Sequence, residues 1–211
     1  MPVNKKNLDQ ISKEVINFKN SNLCIVTKNR SEEDILSLVS SGFEIFGENR
    51  VQEAQKKFTS VMKNNSKIKL HLIGPLQTNK AELALNLFDT IQTVDRLKLV
   101  DSIYKVSKNN NVKTSNFYIQ INIGNEYQKS GVNPADLKQL YDYSLEKNLN
   151  ISGFMCIPPA DEDPIPYFKE MVSLKNEIKR DLLLSMGMSS DYLQALQNGS
   201  NLIRVGSKIF Q

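Results

Sequence analysis

The chain is poor in the residues that build the commonest catalytic and metal centres. Among its 211 residues there is one histidine, His71, and there are two cysteines, Cys24 and Cys156. No Cys-x-x-Cys pair or His-Cys cluster occurs, so a zinc site is not expected. A Ser-His-Asp or Cys-His machinery would have to run through His71, and no nucleophile-elbow sequence accompanies it. The Gly-x-x-x-x-Gly-Lys-Ser/Thr pattern of a phosphate P-loop is missing. No run approaches the roughly 18 apolar residues of a membrane span. The start, Met-Pro-Val-Asn-Lys-Lys, leads into an amphipathic stretch and not into the apolar core of a signal peptide. Both cysteines lie inside apolar strand-like runs, which reads as buried, reduced thiols in a cytoplasmic protein.

Charge of one sign is also in short supply. Lys and Arg number 27 against 23 Asp and Glu, a net charge of +4. The lysines are spread over helical faces, without the dense basic stripe that nucleic acid requires. A mild positive excess favours an anionic small molecule. With 40% hydrophobic and 24% charged residues, a folded globule is expected. No linker or low-complexity tract interrupts residues 1–211, which read as one domain.

What is present is a repeat of strand-like runs followed by helical patterns. Residues 7–19 carry Leu8, Ile11, Val15, Ile16 and Phe18 at mostly helical spacing, a leading helix. Strands are expected at 23–28, 43–48, 70–74, 90–94, 117–123, 151–157, 182–186 and 202–205. Helices follow, opened by Ser31, Thr78, Asp95, Asn133-Pro134 and Ser189 or Ser190 as caps and ended by Gly42 and Gly199. The helix after Pro134 takes Leu137, Leu140, Tyr141 and Leu145 as its buried stripe. Strand starts recur about every 26 residues, which suits βα units with short loops. An open doubly wound sheet is the competing arrangement. Eight units, with the chain ending soon after the eighth strand, favour a closed (β/α)8 TIM barrel with an extra N-terminal helix.

In such barrels chemistry gathers at the C-terminal ends of the strands. Lys28 closes strand one there. An amine in that place is a natural partner for an aldehyde cofactor through a Schiff base. The loops after strands seven and eight contain Ser185-Met186-Gly187-Met188-Ser189 and Gly206-Ser207, a glycine- and serine-rich pair suited to phosphate. Lysine and phosphate cup together suit pyridoxal 5′-phosphate (PLP). Arg204 sits inside the apolar strand Leu202-Ile203-Arg204-Val205, so it needs a partner. A carboxylate from a neighbouring strand and a cofactor ring nitrogen are the alternatives. His71 alternates with Leu70 and Leu72 and reads as a packed, hydrogen-bonded core histidine.

At this level the chain resembles the PLP homeostasis proteins, the YggS/PROSC family of PLP-binding proteins. The matching segments are Val26-Thr27-Lys28, Phe46 through Glu53, His71-Leu72-Ile73-Gly74 with Leu76 through Lys80, Gly153-Phe154-Met155 with Ile157-Pro158-Pro159, Leu184 through Ser189, and Ile203 through Ser207. The resemblance implies a barrel like the N-terminal domain of alanine racemase, the type III PLP fold. It implies PLP on Lys28 as an internal aldimine, with Asn49 and His71 near the ring. Ser189, Gly206 and Ser207 would hold the phosphate, with Ser185 as a further candidate, and Arg204 would face the pyridine nitrogen. An arginine there favours an unprotonated ring nitrogen and a poorer electron sink.

The family role implied is vitamin B6 homeostasis, with PLP-dependent apoenzymes as acceptors and no settled catalysis. A monomer without a second domain to close the site suits a reservoir or carrier. The alternatives are a PLP-dependent racemase or lyase, with Tyr127 or Tyr118 as second proton-transfer group, and a barrel binding a sugar phosphate without an imine. Asn29-Arg30-Ser31 after Lys28 and the ending Ser207-Lys208-Ile209-Phe210-Gln211 depart from the family pattern. The direction of Lys208, toward phosphate or solvent, is left open.

Overall fold

The structure, a computed structural model, describes residues 3–109 and 111–211, with the side chain of Asn109 outside the description. Met1 and Pro2, which open the stretch read as lacking a signal peptide, lie outside the described residues. Eight strands run β1 (Asn22–Val26), β2 (Ile45–Glu48), β3 (Lys69–Leu72), β4 (Thr90–Val94), β5 (Asn116–Ile121), β6 (Ile151–Cys156), β7 (Leu183–Ser185) and β8 (Leu202–Val205). All neighbours pair in parallel, and β1 pairs with β8, with Cys24 opposite Arg204. The sheet therefore closes into a barrel in strand order one to eight. This is the (β/α)8 architecture expected above, and it excludes the open sheet.

Helices alternate with the strands: α1 (Lys5–Ile16) leads, then α2 (Glu32–Ser40), α3 (Val51–Asn64), α4 (Ala81–Leu87), α5 (Leu97–Asn109), α6 (Leu137–Glu146), α7 (Ile165–Ile178) and α8 (Tyr192–Gln197). Ser31 caps α2 in a full capping box with Asp34. Asn133 caps a 3-10 turn over Pro134–Asp136 that leads into α6.

Three other capping expectations are corrected. Thr78 opens a 3-10 turn, Thr78–Lys80, and α4 begins only at Ala81 without a side-chain cap. Asp95 pairs with its neighbour Arg96. Neither Ser189 nor Ser190 caps α8; Asp191 precedes it and accepts from the Met188 N–H. Two apolar positions also face outward. Ile16, in the last turn of α1, is 80% exposed, and Leu145 on α6 is 45% exposed.

Strand alternation sorts side chains between the helical jacket and the barrel interior. Phe46 packs on Phe58 of α3, ring centroids 5.8 Å apart, so β2 turns Phe46 and Glu48 outward and Gly47 inward. The outward set merges with Ile35, Leu38, Leu70, Leu72, Leu85 and Ile91 in one continuous core. The chain ends are tied together. Asn4 N–H donates to the Ile209 carbonyl and Asn7 Nδ2 to the Lys208 carbonyl. The Tyr192 hydroxyl reaches Glu14 Oε2 of α1 at 2.5 Å.

Between β6 and β7 the two backbones close up through a missing side chain. A Cβ on Gly153 would meet the Leu183 carbonyl oxygen at 2.3 Å and the Tyr118 ring at 2.7 Å. Backbone cannot yield as a side-chain tip does, so Gly153→Ala is expected to destabilise the barrel by about 1–3 kcal/mol. Urea unfolding of the variant beside the parent checks this; an unchanged midpoint refutes the close packing.

Candidate functional site at the C-terminal rim

Lys28 follows β1 by two residues. Strand phase places Cys24, Val26 and Lys28 on the interior side, and Thr27 outward with Glu48. Asn29 then takes a left-handed turn, φ 57°, a conformation asparagine tolerates better than most residues. Its N–H donates to Glu53 Oε1 at 2.6 Å, and the Arg30 guanidinium stacks 4.4 Å over the Phe210 ring. The sequence after Lys28, which departs from the family pattern, thus turns sharply and is tied to α3 and to the C-terminus.

Immediately beneath lies a buried ion cluster. Lys57 of α3 donates to the Thr27 carbonyl at 2.7 Å, to Glu48 Oε1 at 2.7 Å and to Glu53 at 2.9 Å. The Thr27 hydroxyl donates to the same Glu48 oxygen at 2.6 Å. Glu48 is wholly buried and its second oxygen has no partner. Burial raises its pKa, with the Lys57 and Thr27 bonds opposing. Lys28 itself makes no hydrogen bond or ion pair among the described residues, and its side chain stands exposed at the rim.

A cleft of about 410 Å³ opens beside it. Lys28, Asn49, Ser189, Arg204, Gly206 and Ser207 all line it, with Val26, Ile73, Ile157 and Met188 as apolar wall. No carboxylate is among the lining residues, so two cations face the space uncompensated. The N–H groups of Ser189, Ser190 and Ser207 find no acceptor among the described residues, which leaves donors available on the β7 and β8 loops. Gly206 lets that loop lie on β1: a Cβ there would stand 3.0 Å from the Val26 carbonyl oxygen. Gly187 takes φ 96°, and a Cβ would come within 2.5 Å of Ala195. The bend that carries Ser189 therefore needs glycine.

Arg204 is 3% exposed. Its partners are the Ser185 carbonyl at 2.7 Å, the Ser185 hydroxyl at 2.8 Å and the Cys156 carbonyl at 2.8 Å. The carboxylate partner that strand pattern left open is replaced by neutral acceptors. Burial lowers the pKa of the guanidinium below its ordinary value. Its charge is solvated by dipoles but not cancelled.

Two expected site residues stand one layer deeper, outside the cleft lining. The Ser185 hydroxyl is spent on Arg204 and on Gln92 Oε1, to which it donates at 2.6 Å. The hydroxyl thus holds Arg204 from below, and Ser185, expected as a further phosphate candidate, is not among the lining residues of the cleft. Gln92 Nε2 then meets His71 Nδ1 at 2.8 Å. Because β4 and β7 are not neighbours, the Ser185–Gln92 bond crosses the barrel interior.

The chain of bonds has a direction. Arginine only donates, so Ser185 must accept and pass its proton toward the glutamine oxygen, and the amide N–H turns to His71. His71 Nδ1 is then an acceptor and its proton sits on Nε2. Burial pulls the His71 pKa from 6.5 down to about 4, with Asp89 working in the opposite sense. His71 is hydrogen-bonded, as expected, and is half-buried in place of fully packed in the core.

Other expectations resolve similarly. Cys24 and Cys156 are buried, free thiols, pushed up to about 12 chiefly by burial. Lys208 does not line the cleft: its ammonium lies 3.3 Å from the Tyr192 hydroxyl and 4.9 Å over that ring. Tyr118 is buried, its phenol pushed up to about 12, and Tyr127 is fully exposed; neither lines the cleft. Gln92 and Lys57 carry no motif in the sequence, and Glu48 enters only as part of the Phe46–Glu53 segment. Gln92 shows as the one long polar side chain in a strand of threonines and branched apolar residues, and Glu53–Lys57 as an i,i+4 pair.

Two outcomes are expected. Lys57→Met strands the Glu48 carboxylate and should destabilise the fold by about 3–5 kcal/mol in urea unfolding, while Glu48→Gln combined with Lys57→Met should recover part of the loss. For His71 the folded pKa lies below the unfolded one. Its contribution is complete above pH 6.5 and is lost as pH falls from there through about 4. His71→Gln should flatten stability over that window, and an equally steep acid loss in the variant would count against the buried imidazole.

No protein-family model matches the chain. A pyridoxal phosphate homeostasis protein of Aquifex aeolicus is 37% identical over 187 residues, covering 84% of this chain and 81% of the relative. One of Pasteurella multocida is 36% identical over 201 residues, 89% of this chain and 84% of the relative. Among solved structures, PipY of Synechococcus elongatus without PLP superposes with TM-score 0.88 at 29% identity, covering 98% and 99% of the two chains. PipY with PLP bound gives 0.84 at the same identity and coverage. Alanine racemase of Acinetobacter baumannii shares the fold, TM-score 0.74 at 12% identity, with 97% of this chain matched to 59% of that one. At more than a third identity over most of both chains, this protein belongs to the pyridoxal phosphate homeostasis protein family.

Proposed function

We propose that the chain binds PLP in the rim cleft and serves PLP homeostasis as a reversible store or carrier. The observation that carries this is an unpartnered lysine sharing a carboxylate-free cleft with a buried arginine and a serine- and glycine-lined loop pair. The names of the relatives and the PLP-bound form of PipY support it.

The residues fit the group on chemical grounds. Lys28 offers the amine for the cofactor's aldehyde. Ser189, Gly206 and Ser207 offer hydroxyl and N–H donors for its phosphate. Arg204, held from below by Ser185 and Cys156, offers a fixed donor to the ring nitrogen. Ile73, Ile157 and Met188 supply apolar surface for the ring, and Asn49 a polar edge. When bound, PLP supplies an electrophilic carbonyl and an electron sink, and the positive Arg204 weakens the second property.

A racemase or lyase needs a second proton-transfer group at the substrate. Tyr118 and Tyr127 are both outside the lining, so the geometry favours holding the cofactor over turning it to catalysis. PLP-dependent apoenzymes are the acceptors this reading implies.

PLP-saturated protein is expected to show the visible absorption of a lysine-linked cofactor, and Lys28→Ala to lose it. Borohydride reduction followed by peptide mapping should mark Lys28. A colourless saturated protein, or a mark on another lysine, overturns the assignment. Should phosphate contacts persist without any mark, the sugar-phosphate reading takes its place.

A further inference from the structure

We propose that a second cleft on the same rim is a binding site for a small polyanion. The cleft, about 610 Å³, lies beside the first and shares only Asn49 with it. It is formed where the start of α3, the turn after β3 and the loop after β4 meet. Three cations line it: Arg50, Lys80 and Arg96. One carboxylate does, Asp95, and it is already paired with Arg96. Arg50 and Lys80 are thus left as two charges without a partner in the cleft.

Lys80 is the more telling of the two. It is half-buried, and its ammonium has no hydrogen-bond or ion-pair partner among the described residues. The ammonium therefore brings a positive charge to the cleft with no counter-charge beside it, and an anion there would supply one. Arg96 is fixed at the wall by a bond to the Leu76 carbonyl at 3.0 Å, so its guanidinium is pre-positioned.

The first turn of α3 adds to the field. Val51 and Gln52 open that 14-residue helix and line the cleft, and Arg50 before them supplies no side-chain cap. Glu53 lies outside the lining and offsets part of the Arg50 charge, but its hydrogen bonds go to Lys57 and the Asn29 N–H. Gln52 and Gln77 provide neutral donors. The surplus of two positive charges matches a ligand carrying at least two negative groups, an organic phosphate or a polycarboxylate. The space exceeds what a single inorganic phosphate fills. The inference stands on this cleft alone and does not rest on the PLP reading.

The test is calorimetric titration of inorganic pyrophosphate, and separately citrate, into full-length protein preloaded with PLP so that the first cleft is filled. One-to-one binding that weakens with added salt is expected. The double variant Arg50→Ala, Lys80→Ala should bind at least about tenfold more weakly. Its visible PLP absorption and PLP affinity should be unchanged. Tighter pyrophosphate assigns a phosphate ligand and tighter citrate a polycarboxylate; both support the site. No binding to the preloaded protein, or equal binding by the double variant, overturns it. Failure of preloading shows directly as absence of the visible band. In that case the parent and double variant compared without PLP still decide the second cleft.

Discussion

A guanidinium buried among neutral dipoles governs the interior of this barrel. Arg204 stands 3% exposed with two carbonyls and a hydroxyl as partners. A carboxylate in that place would cancel the charge and leave Lys28 as the one cation of the cleft lining. Carbonyl dipoles stabilise the ion without neutralising it, so its field reaches the cavity above. The same choice sets the order of everything below: Ser185 must accept, Gln92 must turn its amide toward β3, and His71 must carry its proton on Nε2. One donor-only residue fixes the hydrogen positions of three others across the barrel.

Lys28 is treated in the opposite way. The backbone that carries it is held tightly while the amine is left free. Lys57 gathers the Thr27 carbonyl, Glu48 and Glu53 around one ammonium, and Asn29 turns the chain away immediately afterwards. Burying Glu48 with one oxygen unpartnered is unfavourable by itself, as its raised pKa reflects. The fold accepts that cost directly beneath Lys28. A backbone held by a cluster below, with the amine left unbound above, is the arrangement that the proposed role of Lys28 requires.

Much of this was legible before the structure. Lys28, Ser189, Gly206 and Ser207 fall into one cleft because strand ends and βα loops are readable from period and punctuation. The capping box at Ser31 is a local signal and was found as one. The expectations that failed depend on long-range partners. Thr78 reads as a cap, but the chain makes a 3-10 turn first. Ser185 and Ser189 look alike in sequence; they stand four residues apart across a left-handed glycine, one at the end of β7 and turned into the barrel, the other past the bend at the rim. A carboxylate for Arg204 was a reasonable expectation from burial cost alone, and the answer lay in backbone carbonyls that no residue type reveals. Glu48 was read as part of a motif, whereas its outward phase shared with Phe46 commits it to the cluster under Lys28.

The likeness to alanine racemase is one of fold. The barrel of this chain matches 59% of the Acinetobacter enzyme. At that level of identity the match speaks for fold alone, so chemistry must be argued from the lining. Within the first cleft the polar side chains are Lys28, Asn49, the serines and Arg204, and Arg204 is held as a donor by its three acceptors. A reaction needing proton transfer on both faces of a substrate carbon requires a second group of suitable basicity. The buried phenol of Tyr118 is pushed away from that range and Tyr127 stands out in water. What the lining does supply is an amine, serine hydroxyls and a guanidinium fixed by three neutral acceptors. Under the proposed reading these are the groups that would take up and release the cofactor, and their arrangement follows from where one arginine finds its hydrogen bonds.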